Sequence, residues 1–358
     1  MSLRDLNKYA FINAKLRSRI ANMLDDKQIE TLLNSTSLEE LFHQLRGTSY
    51  QSLAELYDES GDIQRLEAWI FSRNVSIFKE VGRLMEDTHV SLIAALGVKQ
   101  EVENLKGVIR LWFSNKIKDQ NIDYRYGYLY QGKIVNDIDW DKIINAENFE
   151  QIKESLKGTL YYKPFKEFDI ERINKEGLFT LETLLDRTWF SHLRKEARKL
   201  NKRDRELVEE VLARDADLKN IINSVRTGYL YGVDSEILEQ SMFEGGKVTQ
   251  TQEFETFLAT DAQQRSISNL VAKHYPELAK ELHENKDKSP KEKTLLVEHY
   301  LFADRRKEFN KMLRGYPFSF GIILAYFFLE ERQDKLIRTV INGINFKLSA
   351  QEIREAAL

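Results

Sequence analysis

His192 and Glu196 stand four residues apart, a spacing that puts an imidazole and a carboxylate on one helix face and could furnish two metal ligands. No third ligand is suggested, and basic residues flank the pair, so a solvated or pair-forming histidine is the expectation. Gly245-Gly246-Lys247 sets glycines before a lysine, as an anion nest would. It lacks the glycine framework and the hydroxyl with which a phosphate loop holds magnesium, and a glycine-relieved turn between helices is expected there. His43 and His274 fit surface and helix-end roles. Tyr124, Tyr126, Tyr128 and Tyr130 alternate in a segment that could stack on bases, yet no broad basic funnel surrounds them, and packing against helices is expected. The chain has no cysteine, no G-x-G-x-x-G, no G-x-S-x-G and no H-E-x-x-H. The expected chemistry is therefore none: no catalytic residue, no cofactor and no metal.

The elements that would carry these residues are helical. Only four prolines occur, none in the first 163 residues. Leu66, Trp69, Ile70, Ile77, Val81 and Leu84 recur at three- and four-residue steps behind a capping Asp62, which predicts an amphipathic helix from Ile63 to about Met85. Leu178, Leu181, Leu185, Trp189, Leu193, Ala197 and Leu200 predict a second long helix. Its cluster of Arg194, Lys195, Arg198, Lys199, Lys202 and Arg203 is expected to be a solvated face, since Glu196, Asp204 and Glu206 are interspersed.

Charge excludes some partners. The 358 residues hold 54 Lys and Arg against 57 Asp and Glu, and a net charge of -3 gives no long-range reason to seek nucleic acid or anionic lipid. The longest apolar stretch, Phe318 to Leu329, is twelve residues. A bilayer-spanning helix needs about twenty, so no direct bilayer span is expected.

The sequence also repeats itself. Ser37 to Tyr50 aligns without a gap to Asn148 to Tyr161, matching Leu41/Ile152, Leu45/Leu156, Gly47/Gly158, Thr48/Thr159 and Tyr50/Tyr161. A short helix, a glycine able to take positive φ and a packing tyrosine are predicted in both. Glu101 to Arg110 matches Asp217 to Arg226, with Asn104/Asn220 and Arg110/Arg226 in register, and Gln131 to Ile134 resembles Gly245 to Val248 downstream. Leu66-Glu67, Leu181-Glu182 and Val297-Glu298 recur at a period near 115 residues, too long for a small solenoid. The expectation is an all-α protein of three related helical domains, residues 1–95, 96–210 and 211–358. His283 to Lys293 is expected to be a loop inside the last.

Tyr9 to Arg17, the two asparagine and arginine segments, the helix ending in Trp189-Phe190, and Pro317 to Tyr326 followed by Ile337-Arg338 resemble the C subunit of the V/A-type ATPases (V-type ATP synthases), related to the d subunit of the eukaryotic vacuolar ATPase. The resemblance covers essentially the whole chain. It implies a pseudo-threefold helical funnel, non-catalytic, peripheral on the cytoplasmic face of the membrane. Its implied partners are the central-shaft subunits and the membrane rotor ring, with torque transmitted between them. Arg17, Arg110 and Arg226 then occupy motif positions that face the shared cavity or support its helices, and are the candidate partner-interface residues. In the last unit Glu331 and Arg338 keep part of the charge pattern, but Asp334 and Lys335 stand where a third asparagine is expected. The residues alone leave a helical scaffold of another soluble complex open, with a hydrolase as a more distant alternative.

Overall fold

The computed structural model describes residues 3–85, 88–121 and 127–357. Tyr124 and Tyr126 of the alternating run lie outside the described residues. Every regular element among the described residues is helical, and none is a strand. In chain order they are α1 (Leu3–Ala21), α2 (Asp26–Leu33), α3 (Leu38–Leu45), α4 (Gln51–Ser60), α5 (Ile63–Gly82), α6 (Thr88–Lys116), α7 (Trp140–Ile144), α8 (Phe149–Ser155), α9 (Tyr162–Lys166) and α10 (Ile170–Glu176). Then follow α11 (Phe179–Ala197), α12 (Lys202–Asn223), a π-helical segment (Ser224–Leu230), α13 (Ser235–Gln240), a 3-10 turn (Val248–Gln250), α14 (Gln252–Ala259), a second 3-10 turn (Ala262–Gln264), α15 (Ile267–Val271), α16 (Pro276–Glu284), α17 (Pro290–Arg314), α18 (Gly321–Asn345) and α19 (Ala350–Ala357).

Local chemistry explains where these helices start. Asp62 accepts from the Gln64 amide at 2.9 Å, and Asp25 and Gln28 form a reciprocal capping box, so each side chain satisfies amides that a first turn leaves unpaired. The stretch His283 to Lys293 is mostly helical: α16 runs to Glu284 and α17 begins at Pro290, with Ser289 capping it through the Glu292 amide. Proline at the first helical position gives up no hydrogen bond, which is why the expected loop is shorter than its composition suggests.

The chain forms two compact units, residues 1–144 with 308–358, and residues 145–307. In the first, Leu41, Leu45, Tyr50, Leu53, Leu66 and Ile70 of α3 to α5 share one core with Leu336, Ile337, Val340 and Ile341 of α18 and Ile353 of α19. In the second, Ile221, Val225, Leu238, Phe254, Phe257, Leu278, Val297 and Leu301 form the main cluster. The apolar run ahead of Glu330 belongs to α18 and is buried from Gly321 to Phe328. No helix among the described residues is long and apolar enough to cross a membrane.

The first repeated segment is repeated in three dimensions. Ser37 and Asn148 cap α3 and α8 through the amides of Glu40 and Gln151, both at 3.1 Å. Gly47 and Gly158 take φ of 75° and 83°. Beyond them the hydroxyls of Thr48 and Thr159 donate to the carbonyls of Leu45 and Leu156 at 2.6 and 2.7 Å, and accept from the amides of Tyr50 and Tyr161. Both tyrosines are fully buried. Positions 95 and 210 lie inside α6 and α12, so any repeat boundary there is continuous helix and not a linker.

Candidate partner interface

The three arginines sit on α1, α6 and the π-helical segment. Arg17 is exposed, but its guanidinium is anchored: Nε donates to Asn13 Oδ1 at 2.8 Å and Nη2 to the Leu313 carbonyl at 2.7 Å. Leu313 is in the last turn of α17, where a cation meets the negative end of the helix dipole. Arg110 is exposed on α6, between the buried Ile109 and Leu111. Arg226 grips Glu298 of α17 with two parallel bonds, Nη2 to Oε2 at 2.6 Å and Nε to Oε1. This pairing holds its pKa above the ordinary value against partial burial. A fork-to-carboxylate pair ties the π-helical segment to α17 and leaves about half of the arginine exposed, 55% of its side chain.

The residues that recur alongside these arginines work inward. Asn104 forms a two-way amide clamp on Tyr130, with Nδ2 donating to its carbonyl at 2.9 Å and Oδ1 accepting its amide at 3.3 Å. Asn220 holds Phe243 in the same way, at 2.9 and 2.7 Å. One turn earlier on each helix, Glu101 accepts the amides of Val135 and Asn136 at 2.8 and 2.7 Å, and Asp217 accepts the amide of Val248 at 2.8 Å. Burial pushes the Asp217 carboxyl above its usual range, while the amides of Val248 and Lys247 pull it back. Each acid and asparagine pair therefore fastens the backbone of a loop downstream of its own helix, from Tyr130 to Asn136 in one case and from Phe243 to Val248 in the other.

The glycines at 245 and 246 have a steric reason. A Cβ on Gly246 would lie 2.4 Å from Asp217 Oδ1, and one on Gly245, at φ 90°, would lie 2.2 Å from the Arg194 guanidinium. The amide of Val248 is taken by the chain's own carboxylate, so this loop works as a clamp. The expected turn between helices is what the structure contains.

A third clamp lies where the repeat alignment gave no sign of one. Gln333 Nε2 donates to the Leu24 carbonyl at 2.9 Å and its Oε1 accepts the Leu24 amide at 3.3 Å. Glu330 stands three residues before it, as Glu101 stands before Asn104 and Asp217 before Asn220. The register of Glu330 and Gln333 was hidden because glutamine replaces asparagine and the clamped loop lies upstream, near the N-terminus. Asp334 serves a different network. Its Oδ1 accepts the Tyr50 hydroxyl at 2.8 Å and lies 3.4 Å from Arg73 Nη1, while Glu330 Oε2 is 2.8 Å from the same Nη1. Burial pushes the Asp334 carboxyl up to about 6, against the pull of Arg73 and the Tyr50 hydroxyl, with Glu330 adding to the rise.

His192 is half-buried, and desolvation lowers its pKa. Glu196, its candidate co-ligand, takes both oxygens to Lys199 Nζ, at 2.6 and 2.7 Å. No group of three metal-ligating residues occurs among the described residues.

Comparison with known proteins finds similarity over nearly the whole chain. The C subunit of the A-type ATP synthase of Methanocaldococcus jannaschii is 23% identical over 98% of this chain and 86% of its own length. Its counterparts in Pyrococcus horikoshii and Thermococcus kodakarensis are 23% and 21% identical, each over 97% of this chain and 89% of their own. The model of the ATP synthase (C/AC39) subunit family matches residues 12–356. The chain belongs to the ATP synthase (C/AC39) subunit family.

Proposed function

We propose that this chain is the non-catalytic central-rotor adapter of a V/A-type ATPase, joining the central shaft to the membrane ion-translocating ring and supporting ATP-driven ion transport or ATP synthesis. The family match from residue 12 to residue 356 carries the reading, because it spans both compact units. In this reading the chain is a pseudo-threefold funnel of related helical domains, 1–95, 96–210 and 211–358, peripheral on the cytoplasmic face of the membrane. The matching acid-and-asparagine clamps at Glu101 and Asn104 and at Asp217 and Asn220 support the kinship of the second and third of these domains.

Torque transfer needs two interfaces that resist slipping. Distributed packing with several charge-assisted hydrogen bonds serves this better than one buried ion pair, whose desolvation offsets much of its attraction. Arg17, Arg110 and Arg226 are the proposed shaft-facing cations. The test is charge reversal, Arg17→Glu and Arg110→Glu singly, with Arg226→Glu combined with Glu298→Arg so that the internal pair is preserved. Binding to isolated shaft and isolated ring is measured on variants of unchanged helicity and melting temperature. Selective loss of shaft binding is expected. A folded native chain that captures neither partner, and whose deletion leaves ATP-driven pumping intact, overturns the adapter reading and favours a scaffold in another complex.

A further inference from the structure

The turn between α11 and α12 departs from the sequence expectation in a way that concerns charge. Residues 194–205 contain seven Lys and Arg and two acids, within a chain of net charge -3. Both acids face inward: Glu196 is 6% exposed and Asp204 2%. Glu196 is bound by Lys199, and Asp204 is held by Asn201, which donates to its carboxylate at 2.7 Å and accepts its amide at 3.1 Å. Lys195, Arg198, Lys199, Lys202 and Arg203 are all exposed. The first exposed acid, Glu206, lies one turn along α12, 4.0 Å from Lys202. Of the three interspersed acids that would make this an ordinary solvated face, only Glu206, at the edge of the cluster, reaches its surface.

The turn between α16 and α17 shows the ordinary case. Lys286, Lys288 and Lys291 are exposed there together with Asp287 and Glu292, so the two signs mix in solvent. Of these two turns, only the one between α11 and α12 sorts its charges by depth.

We propose that the α11–α12 turn docks electrostatically on an anionic lipid surface. Protein interfaces have an apolar centre enriched in aromatic residues and depleted in lysine. This turn exposes lysine, arginine and Asn201, and its one large apolar residue, Leu200, is buried. A flat, diffuse sheet of negative headgroups needs no apolar centre, and each basic side chain near it strengthens partition roughly fivefold. The inference is independent of the rotor assignment, since it needs neither shaft nor ring.

The test is co-flotation of the full chain with vesicles of phosphatidylcholine alone or with about 30% phosphatidylserine, at about 0.05 M salt, where charges are weakly screened. The expected result is binding to the anionic vesicles only. It should weaken roughly a hundredfold or more in the combined Lys195→Gln, Arg198→Gln, Lys202→Gln, Arg203→Gln variant. Lys199 is left in place because it neutralises Glu196. A second variant, Lys286→Gln, Lys288→Gln, Lys291→Gln, should bind as the native chain does. Both variants must keep native helicity and melting temperature, and four single neutralisations, each expected to weaken binding roughly fivefold, decide the matter if the combination fails to fold. No binding by the native chain, or equal weakening in the two variants, overturns the proposal. So does a native chain that ignores vesicles yet loses capture of an acidic protein partner when the α11–α12 cations are removed.

Discussion

Asp334 has a measurable consequence of its own. Its carboxyl is buried beside Tyr50, Arg73 and Glu330, and its pKa is pushed from 3.8 up to about 6. A folded-state pKa above the unfolded value means that the native chain binds the proton more tightly. Stability is then greatest below about pH 4, falls as pH rises towards 6, and stays at the lower level above it. Two units correspond to roughly 3 kcal/mol. Other acids titrate in the same range, so the informative quantity is the difference between the native chain and Asp334→Asn, which keeps an acceptor for the Tyr50 hydroxyl and cannot ionise. Urea melts at intervals from about pH 4 to about pH 7.5 should show the variant gaining on the native chain by roughly 2–3 kcal/mol across that window. A difference independent of pH would mean that Arg73 holds Asp334 ionised throughout.

Helices and their caps were legible in the sequence because both follow from near neighbours. The periodic runs at 66–84 and 178–200 and the cap at Asp62 need no information from beyond a few residues. The clamps were visible only as a rhyme. Nothing in Asp217 or Asn220 says that their partners are the backbone of Val248 and Phe243, because backbone groups carry no sequence label. Gln333 was missed for the same reason, and the proposed partner-facing roles of Arg17, Arg110 and Arg226 depend on molecules outside the chain. The loop over Asp217 now gives a sharp expectation. Gly246→Ala places a methyl 2.4 Å from Asp217 Oδ1 and 3.1 Å from its amide nitrogen, so the loop must lift and the Val248 amide loses its acceptor. A cost of about 1–3 kcal/mol is expected, and a similar one for Asp217→Ala, which leaves a buried donor unsatisfied. The two should not add. Once the carboxylate is gone, most of the clash at 246 goes with it, and a double-mutant cycle should return a coupling of at least about 1 kcal/mol. Strict additivity would show that loop and carboxylate act separately.

The two ends of the chain belong to one core. Leu24, Leu32, Leu33, Leu41 and Leu45 near the start pack in the same cluster as Leu336, Ile337, Val340, Ile341 and Ile353 near the finish. Polar contacts follow the same route: Gln333 clamps Leu24, Tyr50 donates to Asp334, Asn342 donates to Glu67, and Arg354 reaches Glu30 and Asn34. In the clamps of Asn104 and Asn220 the loop comes after the helix; for Gln333 it comes 309 residues before. A unit closed in this way is expected to loosen at one end when it loses the other. Deleting residues 346–358 removes α19, strips Ile353 from its seat against Gly343, and takes away both Arg354 contacts. Loss of one fully buried isoleucine costs about 2–5 kcal/mol before the polar contacts are counted. The expected outcome, read by hydrogen exchange, is a joint fall in protection of α2, α3, α4 and the second half of α18. Residues 145–307, a compact unit with a core of their own, should keep theirs. Loss confined to the cut end, with α2 to α4 as slow to exchange as in the intact chain, would mean that the termini share a core without sharing a folding unit.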